Sequence, residues 1–158
     1  ITTVHGVPYG AESLQERIVF DTAVIDVETE FQVNPLFSRS GIWTVPTYSP
    51  LMEDADGGLV QKIAFFEARE SLNSLGSDYD LWISDSDGSN RELIFPGPNR
   101  LGAGIRPDPE DGIAWSPTGR QLAFIYQQNL WIYDFETGRA HQITSDGQAS
   151  RPRWSRER

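Results

Sequence analysis

Short apolar runs, each about five residues long, alternate with polar stretches rich in glycine and proline along most of this chain. The apolar runs are either continuous or follow the two-residue period of a β-strand, and none sustains the 3.6-residue period of a helix. The 10 prolines and 14 glycines also disfavour long helices. The pattern therefore predicts an all-β chain with strands at Lys62–Phe66, Leu81–Ser84, Glu92–Phe95, Ile113–Trp115, Gln121–Ile125, Leu130–Tyr133 and Ala140–Ile143.

One pair of predicted strands occurs twice. The segment DLWISDSDGSNRELI, which begins at Asp80, aligns with NLWIYDFETGRAHQI, which begins at Asn129. Both copies contain Leu-Trp-Ile, an aspartate two residues later, a glycine and a final isoleucine. An internal repeat of this kind indicates that one structural unit is used more than once.

The aspartates before Gly88 allow two interpretations, the start of a calcium loop or the turn of a β-hairpin. A calcium loop needs its oxygen ligands in a tight arc. The second copy keeps Asp134 but has Glu136 in place of Asp87, with the bulky Phe135 between them. What the copies share is a strand, a glycine turn and a second strand, which favours the hairpin.

The repeat extends towards the amino terminus. KIAFFEA, from Lys62, matches QLAFIYQ, from Gln121, and the first is preceded by PTYSP and the second by IAWSPTG. From Trp115 to Trp154 one full unit takes 39 residues. Four short strands at this spacing are typical of a β-propeller blade. In such a blade we expect Trp115, Phe124, Ile132 and Ile143 to be substantially buried.

The segment IAWSPTGRQLAFIYQQNLWIYDFETGRAHQITSDG resembles a blade of the TolB-like, WD-repeat-like propellers, which carry a Trp-Ser-Pro-Asp-Gly turn. Thr118 stands where that turn has Asp, and Arg156 stands where a following copy would have Pro. The resemblance implies a propeller of four-stranded antiparallel meanders. It places blades at residues 44–96 and 111–147, a weaker copy at 12–43 and the start of another blade at 149–155.

A propeller ring closes with about four to eight blades. At about 40 residues a blade, the insertions leave this chain too short for a ring of its own. We therefore expect either a fragment of a longer propeller or a chain that another copy or another subunit completes. Because the chain begins with Ile1 and not with Met, we also expect that an upstream segment has been removed.

Charge and composition exclude several classes of function. Asp and Glu outnumber Lys and Arg by 23 to 13, and the formal net charge of -10 disfavours nucleic acid and anionic membrane surfaces as partners. The arginine-rich end RPRWSRER could be an RNA-binding tail, but the acidic remainder favours a solvated strand. No apolar run approaches the roughly 20 residues that span a bilayer.

Residues that could carry catalysis are few. The chain has no cysteine and only two histidines, His5 and His141, and it lacks the Gly-x-Ser-x-Gly motif of serine hydrolases. Ser49 and Ser116 precede prolines, so we expect both to be turn residues that bond to nearby backbone. We predict no catalytic residue, no metal site and no cofactor.

Three insertions interrupt the compact unit. If the strands of a blade are called a to d in chain order, the b–c and d–a connections emerge on the same face of a meander. The insertions follow strands a, b and d and span Leu51–Gln61, Glu70–Asp80 and Gly97–Glu110. Loops on a rigid scaffold are where binding concentrates. We expect Tyr79, Arg100 and Arg106 to contact a partner, because aromatic residues and arginines are favoured anchors.

Two functions follow from the resemblance. The first is a non-catalytic interaction or scaffold module that binds a protein or peptide through the insert-bearing face. The alternative is the accessory, gating propeller of a prolyl-oligopeptidase-like serine peptidase whose catalytic domain lies outside this chain. A third, an autonomous glycosidase, would need two carboxylates about 5 to 10 Å apart, which sequence cannot place. The resemblance also implies an extracytoplasmic location, periplasmic or at the cell surface.

Overall fold

A computed structural model describes the chain in six stretches and contains β-strands, turns and one short 3₁₀ helix (Ser71–Asn73). The described residues are 2–6, 19–26, 32–38, 40–96, 104–107 and 112–155. Their strands are β1 (Thr2–Gly6), β2 (Val19–Asp26), β3 (Gln32–Phe37), β4 (Thr47–Tyr48), β5 (Met52–Glu53), β6 (Leu59–Val60), β7 (Lys62–Ala68), β8 (Tyr79–Asp85), β9 (Glu92–Phe95), β10 (Ala114–Trp115), β11 (Gln121–Tyr126), β12 (Asn129–Asp134) and β13 (Arg139–Gln142).

The strands form antiparallel sheets in which each strand pairs with its neighbour in the chain, apart from one inserted hairpin. The first sheet, called here the N-terminal sheet, has the order β1-β2-β3. Blade 1 has the order β4-β7-β8-β9, and the hairpin β5-β6 is inserted between its first two strands. Blade 2 has the order β10-β11-β12-β13. Both blades are therefore four-stranded meanders, as the resemblance implied.

The two blades repeat the same hydrogen bonds at matching positions. The hydroxyl of Ser49 accepts from the Lys62 backbone N–H, and the hydroxyl of Ser116 accepts from the Gln121 backbone N–H. These bonds tie the end of each first strand to the start of the second, so the serines are turn residues, as predicted. Their recurrence shows that the sequence repeat is also a structural repeat.

The Asp-Gly segment of the first copy is a hairpin turn. Strands β8 and β9 pair across it, and the Gly88 N–H donates to the carbonyl oxygen of Asp85 at 3.0 Å. Gly88 has a φ of +86°, a conformation that a residue with a side chain adopts only with strain. The side chain of Asp85 accepts from Lys62 and Asn90, and that of Asp87 accepts from Ser89. The hairpin prediction is confirmed.

The N-terminal sheet packs against one face of blade 1. Phe37 of β3 stacks on Phe65 of β7 with ring centroids 4.0 Å apart, and Ile63 completes this buried cluster. Trp82 of β8 packs against its edge. Alternation along the strands directs these side chains to one side of the sheet. We call this contact the first interface.

Blade 2 packs against the opposite face of blade 1 and forms the larger core, which we call the second interface. Phe66 and Leu81 of blade 1 are buried together with Leu122 and Phe124 of blade 2. Phe95 joins the two sheets, with its ring centroid 4.9 Å from that of Phe124. Successive sheets thus stack face to face, which is the arrangement of neighbouring propeller blades.

The seven predicted strands are all present, with ends shifted by at most two residues. The prediction that Phe124 is buried is confirmed, since none of it is exposed. The prediction for Ile143 is wrong, because 54% of this residue is exposed. Trp115 and Ile132 are only half-buried. Ile132 and Ile143 lie on the face of blade 2 that is turned away from blade 1, where no further sheet of the described residues covers them.

Candidate binding face

The connection between β7 and β8 is an ordered loop. The backbone N–H of Arg69 donates to the carbonyl oxygen of Asp78 at 3.0 Å, which closes the base of the loop. The Glu70 N–H donates to the hydroxyl of Ser77 at 2.9 Å. The 3₁₀ helix forms the tip, and the Gly76 N–H then donates to the carbonyl oxygen of Asn73. This loop satisfies much of its own backbone, which an unstructured connection would leave to water.

The loop is joined to the connection that follows β9. Tyr79 and Ile105 exchange two backbone hydrogen bonds of 2.7 Å each, the pattern of an antiparallel bridge. Next to this bridge, the Arg106 guanidinium donates to the Asp78 carboxylate at 2.9 Å. The b–c and d–a insertions therefore meet on one face, as the meander topology predicts. We call residues 69–78 and 104–107 the binding face.

Tyr79 supports this face from below and is not exposed on it. Its hydroxyl donates to the carbonyl oxygen of Ser74 at 2.8 Å and accepts from the Trp43 backbone N–H at 3.3 Å. Burial raises the pKa of Tyr79, so the phenol stays neutral and keeps its donor. The ring is fully buried. The structure thus gives Tyr79 a supporting role in place of the partner contact that the sequence analysis predicted.

The segment before β4 passes close beneath the binding face. Gly41 has a φ of +105°, and a Cβ at this position would lie 2.8 Å from the Tyr79 hydroxyl oxygen. The same Cβ would also lie 2.8 Å from the Cβ of Ala68. Only glycine fits a position with that φ and those distances. Gly41 therefore permits the close approach that anchors Tyr79.

The binding face presents two leucines and one arginine to solvent. Leu72 is 42% exposed and Leu75 is 74% exposed, and the Arg106 side chain is 81% exposed. The sequence pattern predicts Arg106 as a contact residue but does not single out either leucine. The signal was available, because two leucines stand out in the otherwise polar stretch SLNSLGSD. Arg100 lies outside the described residues, so its contact stays a prediction.

The opposite end of blade 1 carries the third insertion, the hairpin β5-β6. Asp54 closes its turn by accepting from the backbone N–H groups of Asp56 and Gly58. Leu51 and Leu59 are 65% and 72% exposed there. This hairpin joins the first strand to the second, and so it lies at the other end of the strands from the binding face. Leu59 thereby offers a control position with nearly the same exposure as Leu75.

Groups that could carry chemistry are not gathered in the part of the chain that the structure describes. No cluster of three or more His, Asp or Glu side chains that could hold a metal ion occurs among those residues. Two acidic side chains near the binding face are engaged, since Asp78 pairs with Arg106 and Asp80 with Arg69. No helix within the described ranges is long and apolar enough to cross a membrane.

Stacked four-stranded meanders with loops concentrated at the ends of the strands define a β-propeller domain. Comparison with protein families agrees, since the family model described as the dipeptidyl peptidase IV (DPP IV) N-terminal region matches residues 64–152. The match covers more than half of the chain, and the chain belongs to this family. It runs from β7 through blade 2 and so includes the binding face.

The chain is also similar to the Tol-Pal system protein TolB of Polaromonas naphthalenivorans (strain CJ2). The two are 32% identical over 78 residues, which is 47% of this chain. The matched part spans 16% of the length of that relative. This similarity supports the TolB-like resemblance of the blades and concerns only a small part of TolB.

Proposed function

We propose that this chain is a non-catalytic interaction module that holds a protein or peptide through the binding face. The observation that supports this most directly is the pair of backbone hydrogen bonds between Tyr79 and Ile105. Two insertions about 25 residues apart in the chain are thereby held as one surface. A fixed loop surface loses less conformational entropy on binding than a pair of free loops.

The exposed side chains indicate what kind of partner would fit. Leu72 and Leu75 offer apolar area, and exposed leucines grouped on an ordered loop are a feature of interaction sites. Arg106 belongs to the same face, where it pairs with Asp78, and a guanidinium can form bidentate bonds with a carboxylate. A peptide that carries an apolar residue near an acidic one would match this surface. Such a partner would compete with Asp78 for the Arg106 guanidinium.

A matched pair of substitutions tests the proposal. The partner would be captured from an extract of the native organism and identified, and its affinity for purified variants would then be measured by calorimetry. We expect Leu75→Ser together with Arg106→Ala to weaken binding by about 10- to 100-fold. Leu59→Ser, at the other end of blade 1, should leave the affinity unchanged. An equal loss of affinity in both variants, or no loss in the first, would show that the binding face does not hold the partner.

The family match favours a second candidate, the accessory propeller of a serine peptidase. The family is named after the amino-terminal region of a peptidase, and the match covers blade 1 from β7 onward and all of blade 2. In this case a separate catalytic domain would belong to the same protein. The binding face would then control access to that domain. The parent gene distinguishes the candidates, because a hydrolase domain encoded downstream would support the peptidase and its absence would remove this candidate.

We also propose that strands of a further blade pack on the part of the outer face of blade 2 that no sheet of the described residues covers. Leu130, Ile132 and Ile143 lie on that face, and the matching residues of blade 1 are buried against blade 2. The further blade would come from another copy, another subunit or a longer version of the polypeptide. An extracytoplasmic location, supported by the TolB-like resemblance, would suit such an assembly.

Light scattering at increasing protein concentration tests this part of the proposal. If another copy covers the face, the mass should rise with concentration, and Ile143→Asp should hold the chain as a monomer. A chain that stays monomeric should instead be stabilised when it is extended by the residues that follow in the parent gene. If the mass does not rise with concentration and the extension does not stabilise the chain, blade 2 ends the sheet stack.

A further inference from the structure

The first interface contains an arginine held in an aromatic cage. The guanidinium carbon of Arg91 lies 5.1 Å from the ring centroid of Phe37 and 5.2 Å from those of Phe65 and Trp82. Its Nη2 also pairs with the carboxylate of Glu67. A cation at these distances from aromatic faces is attracted by the ring quadrupoles. The contact between two stacked sheets of this chain therefore accommodates a guanidinium.

The second interface repeats this cage with other residues. Phe124 takes the place of Phe65 in the repeat, and Trp131 takes that of Trp82. Phe95, at the end of β9, corresponds to Phe37, at the end of β3. The Phe95 ring centroid lies 4.9 Å from that of Phe124 and 5.6 Å from that of Trp131. The three aromatic rings are thus present a second time. The ring of Tyr126, which stands at the repeat position of Glu67, packs beside them with its centroid 5.1 Å from that of Phe95 and 5.7 Å from that of Trp131.

The arginine is absent from the second cage. In blade 1, Trp82 pairs with Leu93, and Arg91 lies two residues before that partner on the same face. In blade 2, Trp131 pairs with Gln142, and the residue two positions earlier is Ala140. Ala140 therefore occupies the place of Arg91. A methyl group stands where the other interface has a guanidinium on a three-carbon stem.

This replacement leaves a groove between the blades. A cavity of about 300 Å³ is lined by Ile94, Phe95, Trp131, Tyr133 and Ala140, together with Gly138, Arg139 and His141. By strand alternation, the side chains of Arg139 and His141 start from the opposite side of β13 to that of Ala140. Glu92 shares a strand face with Ile94 and lies near Tyr133, whose pKa is raised first by burial and then by the charge of Glu92.

One polar group in the groove wall lacks a partner. The indole Nε1 of Trp131 is buried and has no hydrogen-bond acceptor among the described residues. A buried N–H without an acceptor is unfavourable, and in native structures such groups call for an explanation. A peptide bound in the groove would bring backbone carbonyl oxygens that can accept from this N–H.

We propose that the groove between the two blades is a binding site for an arginine side chain of a peptide partner. The guanidinium would lie over Phe95 and Trp131, as Arg91 lies over Phe37 and Trp82, and the carboxylate of Glu92 would balance its charge. The groove adjoins the turn at Gly138, at the opposite end of β12 from the b–c connections. This site is therefore separate from the binding face and does not depend on it.

A titration with short capped peptides tests the proposal directly. The probe is acetyl-Gly-Arg-Gly-amide, and its control is the same peptide with citrulline, which has nearly the same shape but no charge. The readout is the indole N–H resonance of Trp131 in nitrogen-15 spectra, assigned with Trp131→Phe. We expect the arginine peptide to shift this resonance and to bind on the order of tenfold more tightly than the citrulline peptide.

Two variants complete the test. Ala140→Arg should rebuild the first cage within the chain and abolish the shift. If that variant does not fold, Glu92→Gln, at an exposed position, should weaken arginine binding several-fold and leave the citrulline peptide unaffected. Absence of any shift at millimolar peptide would overturn the proposal. Equal binding of arginine, citrulline and leucine peptides would also overturn it, because the groove would then be an apolar slot without preference for a cation.

Discussion

Blades 1 and 2 carry matching residues on the face that is turned away from the N-terminal sheet, but the surroundings of this face differ. In blade 1, Leu81 and Ile94 are 0% and 6% exposed because blade 2 covers them. In blade 2, the matching Leu130 is half-buried and Ile143 is 54% exposed. Equal sequence therefore does not bring equal burial, because burial is decided by the neighbouring sheet.

The inner part of the same face of blade 2 is already covered. The segment after β13 runs past β11, since Ala149 donates to the carbonyl oxygen of Gln128 and the Trp154 indole donates to that of Ala114. Ala123 and Ile125, on this face of β11, are 5% and 6% exposed. The Trp115 indole makes the corresponding hydrogen bond to the carbonyl oxygen of Thr47 in blade 1. The segment that carries Trp154 thus contacts blade 2 through the same kind of indole hydrogen bond with which Trp115 contacts blade 1.

The largest expected effect compares the matching isoleucines. Ile94→Ala should lower the free energy of unfolding by about 2–5 kcal/mol, because it removes a side chain that is buried in the second interface. Ile143→Ala should change it by less than about 1 kcal/mol, because the side chain is already largely in water. Urea denaturation of both variants measures this. Similar losses would mean that the face of blade 2 is covered after all.

The next effect compares the two tryptophans. Trp115→Phe and Trp154→Phe each remove an indole hydrogen bond to the first strand of the preceding blade. Each should lower the free energy of unfolding by about 0.5–1.5 kcal/mol from the lost bond alone. Thermal unfolding followed by near-ultraviolet circular dichroism gives both values. A loss at Trp115 with none at Trp154 would show that the last segment does not hold its position in solution.

A smaller effect concerns the b–c connections, which are a ten-residue loop in blade 1 and a tight turn in blade 2. Gln127 and Gln128 have φ angles of 52° and 56° in that turn. Hairpin turns with positive φ at both central residues favour glycine at the second. Gln128→Gly should therefore raise the free energy of unfolding by about 0.5–1 kcal/mol. Gln148→Gly, in a nearby loop with ordinary φ, should not stabilise, and an equal gain there would refute the explanation.

The smallest effect compares Asp85, at the end of β8, with Asp134, at the matching end of β12. The ammonium of Lys62 and then the amide of Asn90 hold the pKa of Asp85 below its ordinary value, whereas Gln121 is the first cause of the lowered pKa of Asp134. A carboxylate with a lowered folded-state pKa stabilises above its unfolded pKa, and this contribution is lost as the pH falls through the folded value.

The free energy of unfolding should therefore fall by a few tenths of a kcal/mol below a pH of about 4, as Asp85 is protonated and its ion pair with Lys62 is lost. The effect is small because both side chains are partly exposed. Lys62→Gln should reduce this dependence, and Gln121→Lys should extend it to blade 2. Urea unfolding between pH 3 and 6 measures both. An unchanged pH profile in Lys62→Gln would show that the ammonium does not stabilise the Asp85 carboxylate.

Much of the binding face could be predicted from the order of strands. A meander sends its b–c and d–a connections to the same end, so the meeting of the two insertions follows from topology. The contacts could not be predicted individually. Tyr79 begins β8 and faces the second interface, so its ring is buried, whereas Leu72 and Leu75 stand on the loop. The missing arginine of the second cage could have been found by aligning Arg91 with Ala140.

The sequence by itself determined the strands, the hairpin turns and the repeat, because alternation, glycine positions and short-range hydrogen bonds act between residues that are close in the chain. The face to which each side chain points is also local, since it follows from the two-residue period of the strands. Only the tertiary structure decided which of those faces is covered. Leu81 and Leu130 have the same local sequence but different burial, because a side chain is removed from water only by a neighbour that the local pattern does not specify.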